Sequence, residues 1–179
     1  MRNDVVSTTR NWVERVVIGL NLCPFAKREW VKGSIRIIES DALDNEALLQ
    51  NLVVELALLA RKPEIETTII VHPQVLVDFD DYNQFLSFTD VLLEEMQLDG
   101  VYQIASFHPD YQFAGTAHGD AENFTNRSPF PMLHVLREAS LDSVIESHKD
   151  TEQIPLANIA LLKKLGAEHM QGLLSSCND

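Results

Sequence analysis

An α/β domain built on a small parallel sheet is the fold class this sequence predicts, and three observations lead to it. Short β-branched runs alternate with longer segments of helical periodicity, the pattern of βαβ units. The 179 residues suit one domain, against a soft prior of ~150 residues each. Two strand-like runs close on the same dipeptide, His72-Pro73 and His108-Pro109, 36 residues apart, about one βαβ repeat. The expected order is α-β-α-β-α-β, a long polar loop, then three helices, all in a single domain over residues 1–179. Three central strands would run parallel, with helices packed around them. The rival is an antiparallel or mixed sheet, because three strands alone do not fix a topology.

Residues 6–22 carry Trp12, Val13, Val16, Val17 and Leu20 at helical spacing. Ser7 or Thr8 is the expected cap and Pro24 the stop. Residues 34–39 read as the first strand. Asp44 then caps a helix over 45–61 whose stripe is Leu48, Leu52, Leu56 and Leu59, widened by Val53, Val54 and Leu58, with Pro63 after it. Residues 67–72 form the clearest strand, apolar enough for burial on both faces. A helix over 80–97 turns Phe85, Leu86, Leu92 and Met96 inward, Gly100 ends it, and 101–107 is the third strand. Residues 109–131 lack periodicity but hold Tyr111, Phe113, Phe124 and Phe130, which can anchor an ordered loop. Helices are expected at 129–138, 140–148 and 153–175. Ser128 would cap the first, with Pro129 at its first position, and Pro155 suits the first turn of the last.

The formal charge is −13, from 14 Lys and Arg against 27 Asp and Glu. Such a chain makes a poor non-specific nucleic-acid binder and a poor ligand for an anionic membrane. The balance is uneven along the chain. Residues 1–36 hold seven cationic and three acidic side chains, and the remainder seven against 24. Two cysteines, Cys23 and Cys177, are too few for a disulfide framework. No secretory pattern opens the chain and no run reaches the ~18 apolar residues of a membrane helix, which predicts a cytoplasmic protein.

Several residues are candidates for chemistry. Parallel strands would bring His72 and His108 to one carboxyl edge of the sheet, where ligands bind in open α/β folds. His108 would be the general acid/base, with Asp110 or Asp120 orienting it, and His72 would assist binding. The plainer alternative is that each His bonds a backbone carbonyl at its strand end. Cys23 lies just upstream of Lys27, Arg28 and Lys32, cations that favour a thiolate nucleophile. A helix C-terminus opposes that anion, and a small buried apolar residue is the alternative. Arg127, beside the helix start expected at Ser128, suits a phosphate or carboxylate. Tyr111, Thr116, Asn123 and Asn126 supply further polar groups from the same loop. A divalent metal could draw on His108, His118 and Asp110 or Asp120, with Cys23 or His72, although no compact ligand spacing is present. His134 falls in the helix expected over 129–138 and reads as structural, while His148 and His169 read as helix-surface residues. Phosphate loops, dinucleotide fingerprints, nucleophile elbows and C-x-x-C pairs are absent.

Three motifs remain: Asn21-Leu22-Cys23-Pro24-Phe25-Ala26, Phe107-His108-Pro109-Asp110-Tyr111-x-Phe113, and Thr125-Asn126-Arg127-Ser128-Pro129-Phe130-Pro131. In these the sequence resembles a bacterial family of uncharacterised proteins, catalogued as a domain of unknown function, over nearly its whole length. The resemblance implies a single-domain bacterial protein and carries no activity with it. From the residues, the expectation is an enzyme acting on a small anionic molecule near His108, the 109–130 loop and Cys23. A metal-dependent form of that site and a non-catalytic binding or adaptor protein with a large acidic surface, testable by charge reversal over 138–152, are the alternatives.

Overall fold

The computed structural model describes residues 4–147, 151 and 153–178. The chain opens with α1 (Val5–Trp12), capped by the Asp4 side chain on the Val6 N–H at 3.3 Å rather than by Ser7 or Thr8. The helix then widens into a π-helix, Val13–Ile18, before α2 (Ala26–Lys32). β1 (Ile35–Glu39) leads to α3 (Asn45–Arg61), β2 (Thr67–Val71), α4 (Phe79–Glu95) and β3 (Tyr102–Phe107). Asp44 caps α3 as its sequence predicts, accepting from the Ala47 N–H at 2.8 Å. The four leucines of its stripe are buried, whereas Val54 faces out.

The largest correction follows the long loop. Where a helix was expected over 129–138, the chain forms β4 (Met132–Arg137), and no helix begins at Ser128. Leu133 and Leu136 sit three apart, which mimics a helix. The alternation that wins is of period two, with Leu133 and Val135 on one face and Met132 and His134 on the other. β4 is central, so both faces are covered and the run carries few polar markers. The sheet order is β1-β2-β4-β3. β1 and β2 pair in parallel, and β4 runs antiparallel to both β2 and β3. The sheet is therefore mixed, in place of the expected three-stranded parallel one. β3 still points along β2, because each opposes β4.

The remaining helices are α5 (Glu138–Ser147), α6 (Gln153–Leu165) and α7 (Ala167–Ser175), the last two divided at Gly166. Part of the acidic segment 138–152, and His148, lie outside the described residues. α3 and α4 cover one sheet face through Leu52, Leu56, Ile70, Tyr82, Phe85 and Val135. α1, the π-helix, α6 and α7 cover the other, packing Trp12, Val16, Ile69, Met132, Leu162 and Met170. No helix among the described residues is long and apolar enough to cross a membrane.

Candidate functional site

The two His-Pro residues do come to one edge of the sheet, on either side of Tyr82. His72 stacks on that ring at 5.9 Å between centroids, and His108 lies 5.1 Å from it. Both imidazoles are fully buried. His72 donates from Nδ1 to the Val75 carbonyl at 2.9 Å. His108 donates from Nε2 to the next carbonyl, that of Leu76, at 3.1 Å, and its Nδ1 accepts the Asp110 N–H at 3.0 Å. Leu76 has φ +57°, a costly conformation for a branched side chain. The paired histidines thus hold a strained turn between β2 and α4 through consecutive carbonyls. Both nitrogens of His108 are occupied by backbone, so it has none open to a substrate proton. The general acid/base role expected of it has no free atom here, and Asp110 meets it through the backbone N–H.

The long loop is closed on itself in the same way. Asn123, fully buried, accepts the Phe113 N–H and donates to the Ala117 carbonyl. Thr116 donates to the Phe113 carbonyl, Asp120 caps the Ala117 N–H, and Asn126 bonds the Ser106 carbonyl of β3. Tyr111 packs between Phe79 and Phe113 at 5.1 and 5.0 Å. Arg127 is 6% exposed and lies 4.7 Å from the Phe124 ring. Its Nε donates to the Tyr111 carbonyl and one terminal nitrogen to the His118 carbonyl at 2.6 Å. With no helix start beside it, the expected anion cradle is missing its backbone half, and the guanidinium clamps the loop. Among the described residues, no group of three or more His, Cys, Asp or Glu is placed to hold a metal ion.

A concave pocket lined by Leu76, Val77 and Asp81 lies beside the histidine turn, and a second, almost wholly apolar one lies elsewhere. A cavity of about 250 Å³ opens on the second sheet face, between the π-helix, α2, α5 and the strands. Its wall is almost wholly apolar, including Val13, Val17, Ile69, Ala105, Phe107 and Leu136. Of the expected site residues it takes in Cys23, whose side chain is exposed, and Arg28. Lys27 is exposed on the first turn of α2 and does not line it, nor do the two His-Pro histidines or the loop residues. Arg28 ion-pairs with Glu29 at 2.7 Å. Burial works to raise the Glu29 carboxyl, but hydrogen bonds from Ser34, Arg28 and Lys32 outweigh it and hold the group below its ordinary value.

π-Helical turns are rare overall and occur often at functional sites. This one places Val13 and Val17 on the cavity. It closes at Gly19, whose N–H reaches back to the Glu14 carbonyl at 2.9 Å. Opposite, on β4, His134 sits in the wall with Nε2 2.7 Å from the Thr67 hydroxyl.

Residues 4–172 match the model of a family described as a protein of unknown function, DUF1415. The chain belongs to that family. No curated protein and no solved structure matches the chain. In this member the cavity recruits Trp12, Thr67 and His134, which sequence reading does not single out as a site. The signal for His134 was the alternation of Met132, His134 and Leu136, which marks a strand with one face toward a common space.

Two histidines, His72 fully buried and His134 partly so, give the protein an acid limit. Burial pushes both His72 and His134 down to about 4, while an unfolded His titrates near 6.5. Their native pKa values are lowered, so the unfolded chain takes up protons first as the pH falls. Stability is therefore full above about pH 6.5 and declines from there toward pH 4, on the order of 2 kcal/mol by pH 5 for the fully buried His72 and less for His134, which is only partly buried beside the cavity. Urea midpoints at pH 7.5, 6 and 5 should fall in that order. Equal midpoints across this range would contradict the buried neutral state.

Proposed function

We propose that the protein binds a small, uncharged, largely apolar organic molecule in the cavity beneath the π-helix. The single observation that carries this reading is the cavity itself. Ligand pockets are concave and mainly apolar with a few placed polar groups, and occupy ~300–1,000 Å³ for drug-sized ligands. A volume of about 250 Å³ suits something smaller, such as a monocyclic aromatic. Apolar surface left around a void forfeits dispersion contacts, which a fitting ligand restores. Cys23 at the wall supplies a thiol within reach of a bound molecule, the group on which any covalent chemistry would rest.

The expectation of an anionic substrate finds less support. Arg28 already faces Glu29, so a carboxylate would have to compete with a carboxylate held by three partners. Arg127 is committed to loop carbonyls.

The test is a thermal-shift and calorimetric titration with neutral monocyclic aromatics, on the parent and on two cavity-filling variants. Ala105→Phe fills the cavity from β3, and Ala26→Leu from α2. A ligand that binds only the folded state raises its melting temperature. The parent should be raised and both variants, folded by circular dichroism, should not. No shift in the parent, or equal shifts in all three proteins, would overturn the reading.

A further inference from the structure

The hydrogen bonds around Thr67 fix which atoms His134 offers to this cavity. Thr67 Oγ1 lies 2.5 Å from the Val135 carbonyl and 2.7 Å from His134 Nε2. A hydroxyl has one hydrogen to donate, and a carbonyl oxygen only accepts. The Thr67 proton therefore goes to Val135, and its oxygen must accept from His134. That requires the proton of a neutral imidazole to be on Nε2, which leaves Nδ1 as a bare lone pair.

This Nδ1 makes no hydrogen bond among the described residues. It is also not a sealed-off orphan, in contrast to Nε2 of His72, which is buried with no partner. The side chain that carries it lines the cavity from the central strand. The other charged groups of the wall are largely engaged. Glu29 accepts from Ser34, Arg28 and Lys32, and Arg137 donates to the carbonyls of Leu59 and Ile65. Glu66 and Ser140 also line the cavity, from the chain just before β2 and from α5, and the Trp12 indole N–H in the same wall is buried without a partner among the described residues.

Resting on the cavity reading above, we propose that His134 Nδ1 is the acceptor that orients the ligand, and that the ligand is a hydroxyl compound, a phenol or alcohol on an apolar frame. A lone pair on a partly enclosed imidazole discriminates by what it is denied. A donor fills it, an ether or hydrocarbon leaves it unpaired, and a carboxylate brings a second acceptor against it. Thr67 is a positioning residue in this scheme, since it fixes the tautomer and does not itself have a hydrogen free.

The experiment compares p-cresol, 4-methylanisole and toluene by calorimetry on the full chain, with the His134 imidazole nitrogens followed by 15N NMR. p-Cresol should bind about tenfold more tightly than 4-methylanisole, the value of one added hydrogen bond. The Nδ1 resonance should move upfield with p-cresol and stay in place with the other two. In His134→Phe the preference should vanish while 4-methylanisole still binds. Equal affinities for p-cresol and 4-methylanisole, with an unmoved Nδ1 resonance, would overturn the donor inference and leave the cavity reading standing. Binding of none of the three would overturn the cavity reading and, with it, this one.

Discussion

Replacing Tyr82 with Phe is expected to lower the unfolding free energy by about 2–4 kcal/mol, although it removes a single oxygen. Tyr82 is fully buried. Its hydroxyl donates to the Met132 carbonyl at 2.7 Å and accepts the Phe107 N–H at 3.0 Å. Phe107 and Met132 are the last pair of the β3–β4 ladder. One side chain from α4 therefore ties off the central strand and its neighbour. Without it, a buried carbonyl and a buried N–H each lose their partner where no water can replace it, and each such loss costs about 1–3 kcal/mol. Urea denaturation of the parent and Tyr82→Phe at pH 7.5 measures the difference. A loss below 1 kcal/mol would mean that the two backbone groups find other partners.

Gly19→Ala is expected to be the second most damaging change, at roughly 3 kcal/mol, near the upper end of overpacking costs. A Cβ at Gly19 would sit 2.2 Å from the Arg15 carbonyl oxygen and 2.9 Å from its carbon. The obstacle is backbone, so no side-chain rotation relieves it. The chain would have to give up the wide turn, and with it the N–H of Gly19 on Glu14 and that of Leu22 on Val17. Because Val13 and Val17 belong to both this turn and the cavity wall, the variant should lose p-cresol affinity as well as stability. A denaturation midpoint and an affinity equal to the parent's would show that the π-helix converts to regular helix without penalty.

Much of the architecture is legible in local chemistry. Asp44, the leucine stripe and Pro63 bound α3 because a cap, a repeat and a following proline all agree. β1 and β2 announce themselves through β-branched runs, and β3 through Tyr102, Ile104 and Phe107 between Gly100 and the His108-Pro109 stop. β4 does not, because a short apolar run buried on both faces has the same composition as a buried helix, and Leu133 and Leu136 supply the false period. The consequences reach the site. Once 132–137 is read as a helix, Arg127 acquires a helix start that does not exist, and His134 is turned away from the strand that places it. His72, His108 and Arg127 are conspicuous in sequence because buried polar groups in turns are conspicuous. The structure engages them with backbone carbonyls, a use that leaves the same trace in a sequence as catalysis would. Trp12, Thr67 and His134 are far apart in the chain, and only the sheet register and the helix above it gather them.

The insertion of β4 between β2 and β3 also orders events on the ribosome. β1 and β2 can pair as soon as both have emerged. Among the described residues β3 pairs with β4 alone, so it waits for residues 132–137 to follow. The register that closes the sheet joins Thr68 to Val135, 67 positions apart, and such distant closures are slow relative to local ones. A nascent chain stalled before residue 132 would therefore display β2 and β3 with open edges, and a chaperone that recognises unpaired strands would find its window there.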